Sequence, residues 1–122
     1  MRNEVNTVII RHFLKAPLEK AVIHEGEGLC DHCAVFEAQD FEAPIRFLNY
    51  TIIPPSGSFG QHTHGNDNEI YIILDGQGEY TENGCTVKVT DGDILVNAPF
   101  ASHGIKNTGP VPMRILVLEA YN

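Results

Sequence analysis

The sequence predicts an all-β fold, a jelly-roll β-barrel with little helix. Short runs rich in β-branched and aromatic residues recur along the chain. Gly, Pro, Asn and Asp punctuate them about every ten residues. Helix signals are nearly absent: the best is Pro17-Leu18-Glu19-Lys20, one turn long at most. Many short, evenly spaced strands are what a sandwich or barrel requires, and a jelly roll fits best.

Each element has its own warrant. Residues 5–14 and 21–24 read as the first two strands. Gly26-Glu27-Gly28 turns the chain into a third, 29–36. Residues 45–53 are strongly apolar and β-branched, and Pro54-Pro55-Ser56-Gly57 stops them. The run 69–74 ends at Asp75-Gly76. Runs 78–81 and 85–89 flank Glu82-Asn83-Gly84, where Asn-Gly marks a hairpin turn. Asp91-Gly92-Asp93 leads into 94–96, and 103–107 and 112–120 finish the sheet.

The 122 residues are enough for one domain with one core, and no repeat or linker divides them. There are 8 basic and 16 acidic residues, a net charge of −8. That balance argues against nucleic acid or an anionic membrane surface as partner, since both call for clustered Lys and Arg. No run is long enough to span a bilayer. The start, MRNEVNTVIIRHFLKAP, carries no apolar signal core or small-residue cleavage site. A soluble cytoplasmic protein is the expectation.

Cys30, Cys33 and Cys85 are an odd count, which fits free thiols better than a disulfide framework. Cys30-Asp31-His32-Cys33 has the spacing of a metal or redox pair. On a strand, however, positions i and i+3 face opposite sides, so the two sulfurs diverge. No second pair is present to complete a zinc site.

The sharpest signal is Gln61-His62-Thr63-His64-Gly65-Asn66-Asp67-Asn68-Glu69. His62 and His64 sit two apart on an extended segment, so both rings point to one face, their Cα atoms about 6.5 Å apart. Residues 65–68 are rich in turn formers. A tight hairpin there would bring Glu69 opposite His64, on the same face. An isolated His-x-His is more often an exposed polar loop. Glu69, however, opens a strand otherwise fit for burial, and a carboxylate there needs a cation or donors. Two imidazoles and a carboxylate suit iron, manganese or zinc. Tyr71 and Ile73 share the parity of Glu69 and should line the interior, whereas Gln61 has the opposite parity to His62 and should face away.

These residues resemble the cupins. His62, His64, Glu69 and Gly76 match the spacing of the first cupin motif, with Gly57 one position off its leading glycine. Gly92, His103 and Asn107 match the second motif. Ala98 and Phe100 stand where that motif usually has proline and glycine, with Pro99 between them, which puts the loop's shape in question. The resemblance covers residues 45–118.

It implies one divalent transition metal (Fe, Mn, Zn or Ni) inside the barrel on His62, His64, Glu69 and His103. Spacing alone does not supply His103. Four protein ligands leave an octahedral ion two open positions for water, substrate or dioxygen. The reading leans to a metal-dependent enzyme on a small molecule, of dioxygenase (an oxidoreductase), decarboxylase or isomerase type. The alternative is a non-catalytic metal or small-ligand binding or sensor module. Small cupins commonly pair through sheet edges, so a homodimer is expected, with residues 5–14 exchanged or added across it.

His12, His24 and His32 lie outside both motifs, and lone histidines are usually surface or satisfied core residues. Asn107 reads as structural. Arg46 could hold an anionic ligand but reads more simply as a surface ion pair.

Overall fold

A computed structural model describes residues 8–121. Ten strands form two antiparallel sheets packed face to face as a jelly roll. The strands are β1 (Glu19–Ala21), β2 (Cys30–Glu37), β3 (Ile45–Ile53), β4 (Ser58–Thr63), β5 (Asp67–Asp75), β6 (Gln77–Glu82), β7 (Cys85–Thr90), β8 (Ile94–Asn97), β9 (Ser102–Asn107) and β10 (Met113–Tyr121). One sheet runs β1-β2-β3-β10-β5-β8 and the other β4-β9-β6-β7. Alternation decides what is inside. Along β5, Glu69, Tyr71 and Ile73 are buried while Ile70 and Ile72 between them are less so. The core lies between the sheets and includes Ile53, Phe59, Tyr71, Ile73, Ile105, Met113 and Ile115.

The expected strands from 29 onwards are present, with ends shifted by a residue or two. Asn83 and Gly84 both take positive φ, 47° and 84°, as the turn between β6 and β7 requires. Four expectations are corrected. Residues 5–7 of the first expected strand lie outside the described residues, and 8–14 form no strand, because they end in a turn closed by Lys15 N–H on the His12 carbonyl. The strand expected at 21–24 runs instead over Glu19–Ala21, since His24 and Glu25 both take positive φ and turn the chain. Glu19 and Lys20 are therefore extended, not helical, and pair with His32 and Asp31. The one helical turn among the described residues is a 3₁₀ turn at Ala38–Asp40.

The fourth concerns the hairpin at 64–69. β4 and β5 do not pair; they belong to different sheets. Residues 64–66 carry the chain from one sheet to the other, so Glu69 faces the histidines across the sandwich. No helix among the described residues is long and apolar enough to cross a membrane.

Cys30 is buried and Cys33 partly exposed, and both are free. Burial pushes the Cys30 thiol up to about 11, so it is an inert core residue. Asn107 is wholly buried, donating to the Ile53 and Val111 carbonyls and accepting from Gly109 N–H, 2.9 Å each. It pins the 108–112 turn and takes no part in the site. Phe100 stands at φ 63°, where a glycine is favoured, so the departure from the motif is absorbed as a left-handed residue in an exposed turn.

Candidate metal centre

β4 and β9 are hydrogen-bonded neighbours, and their register sets His62 directly beside His103. Glu69 comes from β5 on the facing sheet, beside Asn97 of β8. One donor atom from each of His62, Glu69 and His103 lies within 4.8 Å of the others. His103 Nε2 is 3.0 Å from His62 Nε2 and 3.0 Å from Glu69 Oε1, and His62 Nε2 is 3.8 Å from Glu69 Oε1. Neighbouring ligands about 2.1 Å from one octahedral ion stand about 3.0 Å apart.

His64, the fourth expected ligand, stands at the edge of this cluster. Its ring centre is 5.0 Å from that of His103. Its Nε2 is buried without a hydrogen-bond partner among the described residues.

The tautomers follow from the partners of the opposite nitrogens. His62 Nδ1–H donates to the Gly60 carbonyl at 3.1 Å. His103 Nδ1–H donates to Asn97 Oδ1 at 2.5 Å. His64 Nδ1–H donates to the Asp67 carboxylate. Each neutral ring therefore keeps a bare lone pair on Nε2. Two such lone pairs 3.0 Å apart repel unless a cation or proton lies between them. Glu69 Oε1 is likewise buried and unpaired: the nearest nitrogen, His103 Nε2, has no hydrogen to give. The cluster draws positive charge, as a proton or as a metal ion. Burial pushes the Glu69 carboxyl up, but His103 and His62 in their charged form more than offset this and hold it well below the usual carboxylate range. Burial pulls the His62 imidazole down, and Glu69 with the Gly60 carbonyl more than restores it. The residues present fit a divalent metal: unprotonated nitrogens, one ionised carboxylate and buried polar atoms with no other partner.

A supporting layer holds these groups. Asn97, wholly buried, accepts from His103 and from the Tyr80 hydroxyl, and its Nδ2 donates to the Glu69 carbonyl at 2.9 Å. Burial and the neighbouring Asp67 push the Glu119 carboxyl up, while Glu119 and His64 hold Asp67 down. Asp67 accepts from His64. Arg46 Nε meets Glu119 at 3.2 Å on the surface, the ion-pair role expected of it.

Tyr71 is buried, its ring 5.4 Å from that of His103, and it lines a small cavity beside the cluster. Ile73 is buried in the core and does not line that cavity. Gln61 is exposed.

His24 was not readable as part of the site. Its ring stacks on His62, centroids 3.5 Å apart and planes 12° from parallel. Two glycines make this possible. A Cβ on Gly60 would meet the His24 carbonyl at 2.0 Å, and one on Gly26 the Ser58 carbonyl at 2.2 Å. The 24–26 turn thus lies flat on β4, tied by Gly60 N–H to the Ile23 carbonyl at 3.1 Å. Only the Gly26 and Gly60 pair hinted at it in the sequence, and nothing there says that the two meet.

An oxalate-binding protein of Thermotoga maritima is 27% identical over 111 residues, 91% of this chain and 92% of its own. A crystal structure of a predicted oxalate decarboxylase from Thermotoga maritima superposes with a TM-score of 0.90 at 25% identity, covering 93% of this chain and all of that one. A cupin conserved barrel domain protein of Salinispora arenicola superposes at 0.74 with 19% identity, covering 96% of this chain and 91% of that one. The cupin domain model matches residues 49–119, which include all four expected ligands. The chain belongs to the cupin domain family.

Proposed function

We propose that this chain holds one divalent transition metal on His62, His64, Glu69 and His103 and binds a small carboxylic acid through it. The observation that carries the reading is the set of three imidazoles, each with Nδ1 engaged and Nε2 bare, around a buried carboxylate. Oxalate is the first ligand to test, given the names of the two Thermotoga relatives.

A bound metal supplies Lewis acidity at the positions that the protein leaves open. The chain's own residues do the rest. Asn97, Gly60 and Asp67 fix ring orientation, and the two sheets exclude water. His24, which stacks on His62 and is not one of the four ligands, is a group at the cluster able to hold a proton.

A decarboxylase is the finer reading, favoured by His24, a base that touches His62 yet is not one of the four ligands. Metal-loaded protein incubated with oxalate, with carbon dioxide and formate followed, separates the two levels. Turnover lost in His24→Phe supports the enzyme; binding by calorimetry without turnover leaves a binding module. Neither binding nor turnover of oxalate or other small acids by metal-loaded protein overturns the reading.

We also propose that two copies pair through the outer face of the six-stranded sheet. Strand register aligns Val96, Ile70, Leu118 and Leu48 in one row and Ile94, Ile72, Leu116 and Tyr50 in the next. All eight are uncharged on a chain of net charge −8, so a like copy meets this face with little repulsion. Phe13 covers Tyr50 at one side, while Ile94 and Val96 are 63% and 66% exposed at the other. The two rows span about 300 Å² at strand spacings of about 4.8 Å. That is short of the roughly 800 Å² each partner gives to a standard interface. The exposed Val8, Ile10 and Leu14 of the segment that carries Phe13 extend it. Light scattering should give twice the chain mass, and Val96→Glu should halve it; a wild-type monomer at micromolar concentration contradicts the pairing.

A further inference from the structure

Beside the cluster lies a cavity of about 40 Å³. Its polar lining is His24, His32, Asn49, Thr51, Glu69 and Tyr71, and the other side chains around it are apolar. At 10–15 Å³ per water it has room for roughly three waters, or a group of two to four non-hydrogen atoms. Glu69 and His24 connect it to the cluster, since Glu69 belongs to both and His24 stacks on His62.

The far wall has a definite hydrogen-bonding character. Asn49 Oδ1 is buried with no partner among the described residues. Such an orphan costs free energy until a donor meets it. Beside it, His32 Nδ1 and Thr51 Oγ1 share one hydrogen bond at 2.8 Å. Whichever atom donates, the pair keeps one proton to give and a lone pair to accept. Burial pushes the His32 imidazole below its ordinary value, so it adds no cation there. No Lys or Arg lines the cavity, and the one charge is the Glu69 carboxylate. A second carboxylate pushed to the far wall, away from the metal cluster, would find no Lys or Arg there to pair with. A neutral group that both donates and accepts would satisfy Asn49 and the His32–Thr51 pair together.

Resting on the metal reading above, we infer that the ligand is a two- or three-carbon acid with unlike ends. One carboxylate lies at the metal cluster, and the other end is a neutral hydroxyl, or a carboxyl that keeps its proton, against Asn49, His32 and Thr51. The class is short hydroxy acids and monoanions of short dicarboxylic acids. A second carboxyl, that of oxalate included, enters in its protonated form because the lining offers it no Lys or Arg, and longer acids are excluded by volume.

The test is calorimetry on protein reconstituted with manganese(II), its metal content measured first, using glycolate, acetate and malonate. Glycolate should bind about tenfold more tightly than acetate, the worth of one well-made hydrogen bond, and more tightly than malonate. Asn49→Leu and Thr51→Val should each cut the glycolate advantage to about twofold at unchanged manganese content, and Thr51→Ser should keep it. An advantage that persists in both variants comes from chelation by the metal alone and overturns the inference. So does malonate binding more tightly than glycolate. Retained manganese without discrimination sinks this inference and spares the metal site; a wild type that takes up no manganese, or any other divalent transition metal, sinks both.

Discussion

Asn97 is the best place to perturb the centre without touching a ligand. Its Oδ1 accepts from His103 Nδ1 at 2.5 Å and from the Tyr80 hydroxyl, and its Nδ2 donates to the Glu69 carbonyl at 2.9 Å. The residue is wholly buried, as is His103, so water does not replace these bonds without a cavity opening. Asn97→Ala orphans the His103 donor and takes a donor from the Glu69 carbonyl, and it leaves the Tyr80 hydroxyl only its longer bond to Glu82 at 3.3 Å. Each buried orphan costs about 1–3 kcal/mol, and partial relaxation brings the three losses to about 3–5 kcal/mol in all. For a domain of this size that lowers the melting temperature by about 10–25 °C. The effect specific to the centre is separate. Without its acceptor, His103 loses its fixed tautomer, and metal affinity should fall 10- to 100-fold. Asn97→Asp keeps the acceptor for His103 and Tyr80 and should recover much of the metal affinity. The assay is competition with a chelator at a temperature where all three proteins are folded. Lower stability with unchanged metal affinity in Asn97→Ala would refute the argument that Asn97 orients His103.

Other consequences follow from the same coordinates. Exposed Cys85 should be alkylated first at pH 8 and Cys30 last, because Cys30 is buried with its thiol near 11; equal rates read by peptide mass would show that β2 opens readily. Gly60→Ala forces the His24 carbonyl away from β4 and should shift the His24 and His62 ring signals in NMR while destabilising by about 1–3 kcal/mol; unchanged His24 and His62 signals would show that the contact does not hold His24 in place. The Arg114 guanidinium, bonded to Asp75 at 2.7 Å, holds that carboxyl below its ordinary 3.8. A depressed folded value gives stability that is present above 3.8 and lost as pH falls through the folded value. Asp75→Asn should therefore cost up to about 1 kcal/mol at pH 7, the pair being partly exposed, and progressively less as pH falls below 3.8; a difference unchanged at pH 2 in thermal melts would contradict the pairing.

Much of the fold was legible because it follows from local rules. Residues 45–53 and the Asn83-Gly84 hairpin need only their own residues to be read. β1 was placed late because its Glu19 and Lys20 carry no apolar alternation; β2 draws them into strand across the ladder. The ligands split in the same way. His62, His64 and Glu69 share a short motif, and His103 came from a resemblance. The route by which they meet was misread, because no local signal says that residues 64–66 cross between sheets. His24, Asn49 and Asn97 act through contacts made across the sandwich or along a register, and single-chain spacing carries no trace of those; Asp67 meets His64 only three residues away, inside the motif itself.

The central claim is that His62, His64, Glu69 and His103 hold one metal ion. Elemental analysis of protein purified without a histidine tag, beside His62→Ala and Glu69→Ala, tests it most directly. The account predicts near-stoichiometric divalent transition metal in the wild type, lost in both variants while the fold persists by circular dichroism. A wild type without metal that takes none up on reconstitution, or variants that retain it in full, would contradict the account.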